Sequence, residues 1–174
     1  MSDLASLELL GTQYKQHRAI RVIDALLISM FSTPEERLAC LMLKNGGGCN
    51  AVVAAAVKYC DNVGKADKAA EHIPAQAIWY YNLIKYLLAQ GVNPAERDLT
   101  NSSILHYMLR KIPDLSKNHK VCLELLALYS NVVSIAAYRK KLTKEDWNAV
   151  DSLGKTPLSY LAMAPDLDEN RGFV

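Results

Sequence analysis

An all-α fold built from short helices paired antiparallel is what the sequence predicts, and three observations predict it. Helix formers such as Leu, Ala and Lys are frequent, while the period-two alternation of a half-buried strand is absent. Pro and Gly are sparse and fall between the apolar runs, where they act as breaks. Cap signals recur where those runs begin, as at Thr33-Pro34 and Thr156-Pro157. With 174 residues and 51% apolar content, the chain is long enough for one domain with a sizeable core. Its high apolar content and lack of low-complexity segments speak against disorder. Charged residues make up 22% and nearly cancel, at net +2. Such a balance does not suggest a protein dedicated to nucleic acid or to membrane surfaces.

The elements follow in order. Ser2-Asp3 caps a first helix to about Gln16, with Leu4, Leu7, Leu9 and Leu10 giving an apolar face. A second helix covers about Ala19 to Phe31, too short and too charged to span a bilayer. Thr33 as N-cap, Pro34 as first helical residue and Glu36 as third form a capping box for helix three. That helix must stop at Gly46-Gly47-Gly48, because successive glycines are costly in a helix. Helix four runs from Asn50 to about Tyr59, and 61–72 reads as a polar loop. Pro74 opens helix five, which Gly91 closes. Helix six spans Ser103 to about Lys111 before Pro113. Helix seven spans His119 to Tyr129 and a separate apolar segment Val132 to Leu142. Thr156-Pro157 opens the last helix, and the acidic tail after Pro165 is expected to fray. The N-terminus has neither a basic start nor an unbroken apolar run, so no signal peptide is read there. The cysteines Cys40, Cys49, Cys60 and Cys122 form no CxxC pair, and no His stands at zinc-ligand spacing. They read as reduced thiols of a cytoplasmic protein.

A pattern then repeats at the turn-to-helix junctions. Asp98-Leu99-Thr100-Asn101-Ser102-Ser103-Ile104-Leu105-His106 aligns with Asp151-Ser152-Leu153-Gly154-Lys155-Thr156-Pro157-Leu158-Ser159, and Asn45 to Val53 is a weaker third copy. Each has an Asx residue, then Gly or Asn three later, then a cap residue two later, then apolar residues. An Asx side chain accepts turn N–H groups, Gly or Asn tolerates positive φ, and Ser or Thr caps the helix. This resembles the ankyrin repeat, D-x-x-G-x-T-P-L-H-x-A. Tyr86-Leu87-Leu88-Ala89-Gln90-Gly91-Val92-Asn93 is similar to the family's L-L-x-x-G-A-D/N ending, with Gly91 seven residues before Asp98. The copies stand 53 residues apart, from 45 to 98 and from 98 to 151, against about 33 in the family. The extra residues are assigned to 61–74 and 131–142.

The resemblance implies a single ankyrin-like solenoid of stacked helix pairs, with 1–44 as a divergent N-terminal helical cap, 45–164 as repeats and 165–174 as a tail. It implies Leu105 and Leu158 in the core between layers, and Ser103 with His106 tying adjacent turns together. It implies a protein–protein interaction module, a regulator or a pathogen effector acting on host proteins, in the cytoplasm or the host cytoplasm. The partner-binding surface would be Glu96, Arg97, Leu99, Thr100, Val150, Ser152 and Leu153 on the finger turns, beside Gly46 and Gly47. On the exposed side of first helices it would include Ala54, Tyr107, Arg110, Lys111 and Tyr160. The expected partner is another protein, with no nucleic acid, membrane, metal or cofactor, and a monomer is expected over an oligomer. Two alternatives stand beside it: a structural subunit self-associating through its N-terminal helices, and a cysteine-dependent enzyme built on Cys49 beside a helix start, with His72, His106 or His119 as partner. Gly46-Gly47-Gly48 lacks the Lys-Ser/Thr of a phosphate loop. Arg139, Lys140, Lys141 and Lys144 are diluted by Glu145 and Asp146. Trp79, Tyr80 and Tyr81 are consecutive, so a helix cannot bury all three.

Overall fold

Several helices begin where a side chain accepts from an N–H of the first turn, as at Thr33, Asn50, Thr143 and Thr156, whereas the helix after Pro74 begins without such a bond. The computed structural model describes residues 18–65, 72–114, 118–138 and 142–163. The expected first helix at 2–16 and the tail after Pro165 lie outside them. Within them the regular elements are helices: α1 (Arg18–Met30), α2 (Pro34–Met42), α3 (Ala51–Val63), α4 (Ala75–Ala89), α5 (Ile104–Leu109), α6 (His119–Tyr138), α7 (Lys144–Asn148) and α8 (Pro157–Ala162). The expected capping box opens α2. Thr33 Oγ1 accepts from Glu36 N–H at 3.2 Å, and Glu36 Oε2 accepts from Thr33 N–H at 3.1 Å. Asn50 caps α3 by accepting from Val53 N–H at 3.1 Å. Gly91, at φ +95°, ends the α4 segment, with Val92 N–H on Leu87 C=O and Gly91 N–H on Leu88 C=O.

The helices pack in two rows. α3 lies against α5 and α5 against α8, while α4 lies against α6; α3–α4 and α5–α6 join the rows. The core between them holds Tyr59, Ile84, Tyr86, Leu88, Ile104, Leu105, Met108, Leu109, Ile112 and Leu125, all closed to solvent. A six-residue helix such as α5 has little stability of its own, so its burial between α3, α6 and α8 is what keeps it helical.

Several boundaries differ from the sequence reading. α6 is one helix of 20 residues where two segments were expected. Its core residues Val121, Leu125, Val132, Ile135 and Ala136 follow helical spacing without a Gly or Pro between them, so nothing breaks the helix at Asn131. The extra residues placed in a connection at 131–138 therefore lengthen a helix. α3 runs four residues past Tyr59, because Asn62 and Val63 are themselves buried. α7, opened by a Thr143–Asp146 capping box, is an additional short helix. Lys120–Ala137 of α6 is long and apolar enough to cross a membrane by length and composition, and its Val121, Cys122, Leu125, Tyr129, Val132 and Ile135 belong to the core cluster.

Leu105 is fully buried, but Leu158, its equivalent one unit later, is 48% exposed. Among the described residues no further layer follows α8. Truncation should separate the two: Leu105→Ala should cost about 2–5 kcal/mol and lower the Tm clearly, whereas Leu158→Ala should cost about 1 kcal/mol or less. Thermal melts of both variants against the parent check this.

Candidate partner-binding surface

The three junctions fold into one and the same turn. Its first residue bonds back on itself: Asn45, Asp98 and Asp151 each donate N–H to the carbonyl four residues on, at Cys49, Ser102 and Lys155. One side-chain oxygen of that residue accepts two backbone N–H groups, from the second and fourth residues ahead. For Asp98 these are Thr100 at 2.8 Å and Ser102 at 3.0 Å; for Asp151, Leu153 at 2.9 Å and Lys155 at 3.0 Å; for Asn45, Gly47 at 2.9 Å and Cys49 at 3.0 Å. The third residue ahead takes positive φ in each case: Gly48 at +73°, Asn101 at +57° and Gly154 at +70°. Neighbouring turns are tied in constant register. Leu99 N–H donates to Gly47 C=O at 3.2 Å, and Ser152 N–H donates to Thr100 C=O at 2.8 Å. Asn101 Nδ2 adds a bond to Val150 C=O at 2.6 Å.

Side chains from α5 and α8 lock these turns to the helices. Tyr107 and Tyr160 hydroxyls donate to Asp98 Oδ2 and Asp151 Oδ2. Arg110 lies over both Tyr rings, at 4.5 and 5.8 Å, and its Nη2 donates to Ser102 Oγ at 2.7 Å and to Asp151 Oδ2 at 3.1 Å. Burial opposes the charge on Asp98, but hydrogen bonds from Tyr107, Thr100 and the Ser102 N–H outweigh it and hold the carboxyl below the usual range. Asp151 behaves likewise: burial is overcome by Tyr160, by the Lys155 and Leu153 N–H groups and by Arg110.

His106 ties two turns, as the sequence led one to expect. Ser103 N–H donates to its Nδ1 at 3.1 Å, and its Nε2 lies 3.1 Å from Ala149 C=O. A backbone N–H can only donate and a carbonyl can only accept, so the ring is neutral with its proton on Nε2. Burial pushes its pKa down, ahead of the raising effects of the Ala149 carbonyl and Asp151.

The expected contact residues divide into three groups. Leu99, Thr100, Val150, Ser152 and Leu153 are exposed on the turns, with Leu99 at 79% and Leu153 at 68%. Glu96, Arg97, Arg110 and Lys111 are half-buried and already paired, with Lys44, Asp146, Asp151 and Asp114. Tyr107 and Tyr160 are buried, which corrects their placement on an exposed face: their rings pack inward because their hydroxyls serve the turn aspartates. Ala54 is half-buried. Sequence reasoning missed Leu43, exposed at 73% beside the first turn. It also missed the Asp–Tyr bonds, although Tyr stands nine residues after Asp in both copies.

None of the four cysteines is in a disulfide. Burial raises the Cys49 thiol, Asp98 adds to the effect and Lys44 counters it; burial drives Cys60 to about 11. Such thiols are mostly protonated at neutral pH, which opposes nucleophilic duty. Among the described residues no cluster of His, Cys, Asp and Glu is placed to hold a metal. In the aromatic run Tyr81 is buried, whereas Trp79 and Tyr80 are half-buried and meet edge to face at 4.7 Å. They border a cavity of about 400 Å³ with Lys58, Asn62, Lys65 and Gln76. Compared with protein-family models, with curated proteins and with solved structures, the chain finds no match.

Two measurements test the turns. A Cβ on Gly48 would stand 3.0 Å from the Leu99 backbone N, whereas one on Gly154 meets open space. Both glycines are left-handed, so each Ala substitution should cost about 1–2 kcal/mol from the backbone alone. Gly48→Ala should cost more, by chemical denaturation, because the first two turns must also separate. The second test is acid. An unfolded His titrates near about 6.5, and His106 in the fold titrates lower, so unfolded chains bind more protons as pH falls through that range. Stability from neutral His106 should be complete above about pH 7 and decline as pH falls through 6.5 toward the folded value. Urea melts should show this decline flattened in His106→Gln, which is less stable at pH 7.5. The contributions of Asp98 and Asp151 are lost only at lower pH, as acidity reaches their depressed values.

Proposed function

We propose that this chain is a divergent ankyrin-type helical solenoid that binds a partner protein across its turns and has no catalytic role of its own. One observation carries the reading: turns in identical register hold Leu99 and Leu153 out in solvent, with Leu43 and Val150 exposed just before their turns. Exposed apolar residues gathered on one feature mark interaction surfaces, where single scattered ones do not. The nearby charges are spent internally, Lys44 on Glu96 and Arg97 on Asp146. The surface thus favours an apolar patch on the partner over a strongly charged one. The raised Cys49 pKa supports a binding role over a cysteine enzyme. Cysteines outside any disulfide fit a reducing compartment, the cytoplasm or the host cytoplasm of a secreted effector. The monomer is the binding form in this reading.

Leu99 and Leu153 are better probes than Arg97, because Arg97→Glu would also set two carboxylates together at Asp146. The double variant Leu99→Ser, Leu153→Ser should leave the Tm within a few degrees, since exposed positions usually change stability by under about 0.5 kcal/mol each. Affinity capture with parent and variant as baits should yield a partner held by the parent alone. Titration calorimetry with that purified partner should then show Kd weakened about tenfold or more, roughly 1.4 kcal/mol. If every partner retained by the parent binds the double variant equally well, the turns are not the site.

A further inference from the structure

The cavity of about 400 Å³ lies between the end of α3 and the start of α4. Its volume falls within the roughly 300–1,000 Å³ of small-molecule sites. One wall comes from α3 and the residues just after it, with Lys58, Asn62 and Lys65 at i, i+4 and i+7. Lys58 and Lys65 are exposed, and neither pairs with a carboxylate among the described residues. Asp61, between them in sequence, does not line the cavity and favours the charge of Lys111 instead. Asn62 is only 6% exposed. Its Nδ2 donates to Lys58 C=O at 2.8 Å, and its Oδ1 has no donor among the described residues. That oxygen is not closed off, so an acceptor on a nearly buried side chain opens into the cavity that Asn62 lines. Side chains this buried normally have their acceptors matched. The other wall comes from α4, through Gln76, Trp79 and Tyr80 at i, i+3 and i+4. Trp79 and Tyr80, edge to face at 4.7 Å, make it apolar. α4 starts here with Pro74 at its N-cap and no side chain bonded to its first N–H groups. Such a helix start carries about half a positive charge and attracts anions. The carbonyl end of α3 brings about half a negative charge, which the two ammonium groups exceed.

We propose that this cavity binds a small aromatic anion: a flat ring with an N–H or O–H donor, bearing a carboxylate, sulfonate or phosphate group. Each part of the ligand answers one part of the wall. The anionic group meets Lys58, Lys65 and the start of α4. The ring packs against Trp79 and Tyr80, where stacked or edge-on contact rewards a flat partner. The donor satisfies Asn62 Oδ1, which can only accept. A neutral ring forgoes the two lysines, and an anion without a ring forgoes the aromatic wall, so the site selects for both features in one molecule. Lys58 stands eight residues past Asn50, about 12 Å along α3 at about 1.5 Å per residue. The cavity is therefore at the end of α3 remote from its turn, and the inference does not depend on the binding reading of the turns.

The experiment titrates the full-length, 15N-labelled chain and follows its amide and indole N–H signals by NMR. The probes are indole-3-acetate, 4-hydroxybenzoate and adenosine 5′-monophosphate. Indole, phenol and adenosine serve as neutral counterparts, and acetate and inorganic phosphate as anions without a ring. At least one aromatic anion should shift the Trp79 indole N–H and the Lys58 and Asn62 amides saturably, with a Kd of about 1 mM or tighter. Its neutral counterpart and the ring-free anion should each bind about tenfold more weakly or worse. The double variant Lys58→Gln, Lys65→Gln alters two exposed positions and should keep the Tm of the parent. It should weaken the aromatic anion about tenfold and leave the neutral counterpart unchanged. If none of the three aromatic anions moves these signals, the cavity is not such a site. Ring-free anions that bind as tightly would reduce it to a cationic patch and overturn the proposal. So would an aromatic anion whose affinity the double variant does not change, or whose shifts fall on the turns.

Discussion

The acceptance of two backbone N–H groups by one Asx oxygen is the interaction on which the rest of this structure depends. Asn45, Asp98 and Asp151 each reach forward to the second and fourth residues ahead, and so fold three turns to one shape. Once the turns match, their free N–H and C=O groups face one another, and Leu99 and Ser152 bond to the preceding turn at the same position. The stacking of α3, α5 and α8 follows, since each helix leaves its turn in a fixed direction. A carboxylate serves this duty better than an amide, because bonds to a charged acceptor are shorter and stronger. The Asn45 turn does the same with an amide oxygen.

The second and third turns are also joined through side chains. Asp151 stands at the centre, taking Tyr160 from its own unit and Arg110 from the unit before. Arg110 in turn spans two Tyr rings and the Ser102 hydroxyl, so one guanidinium bridges two layers. His106 closes the same junction from the other side by reaching Ala149. The first turn has no such set: the positions of Tyr107, His106 and Arg110 are Ala54, Val53 and Val57 there. Its junction relies on apolar packing, on the Leu99–Gly47 bond and on Lys44, whose Nζ pairs with Glu96. The array therefore has one polar, acid-sensitive junction and one apolar junction.

These internal duties shape the outward surface. Residues that would make a charged binding face are consumed in holding the stack, which leaves leucine and valine on the turns. In the proposed binding role, a surface of that kind would gain affinity by desolvating apolar area and discriminate by shape more than by long-range charge.

Much of the local structure was legible. The Asx, Gly or Asn, and cap residues at fixed spacing in 98–103 and 151–156 define the turns, because those interactions close within six residues. The Thr33–Glu36 box and the Gly91 terminus were legible for the same reason. The weak third copy at Asn45 was readable in outline, although Val52 and Val53 stand where the second copy has Leu105 and His106. What the sequence could not supply was the far partner of each side chain. Tyr107 and Tyr160 read as surface because nothing within their helices shows that the turn folds back over them. Leu158 read as core because its equivalent Leu105 has a following layer and α8, among the described residues, does not. Arg110 read as a contact residue because its acceptor, Asp151, lies 41 residues away along the chain. Turn and helix geometry was thus determined by the sequence itself, through bonds between near neighbours. Which polar groups are already paired within the fold was decided by the tertiary structure alone, since burial and pairing depend on groups that only stacking brings within bonding distance.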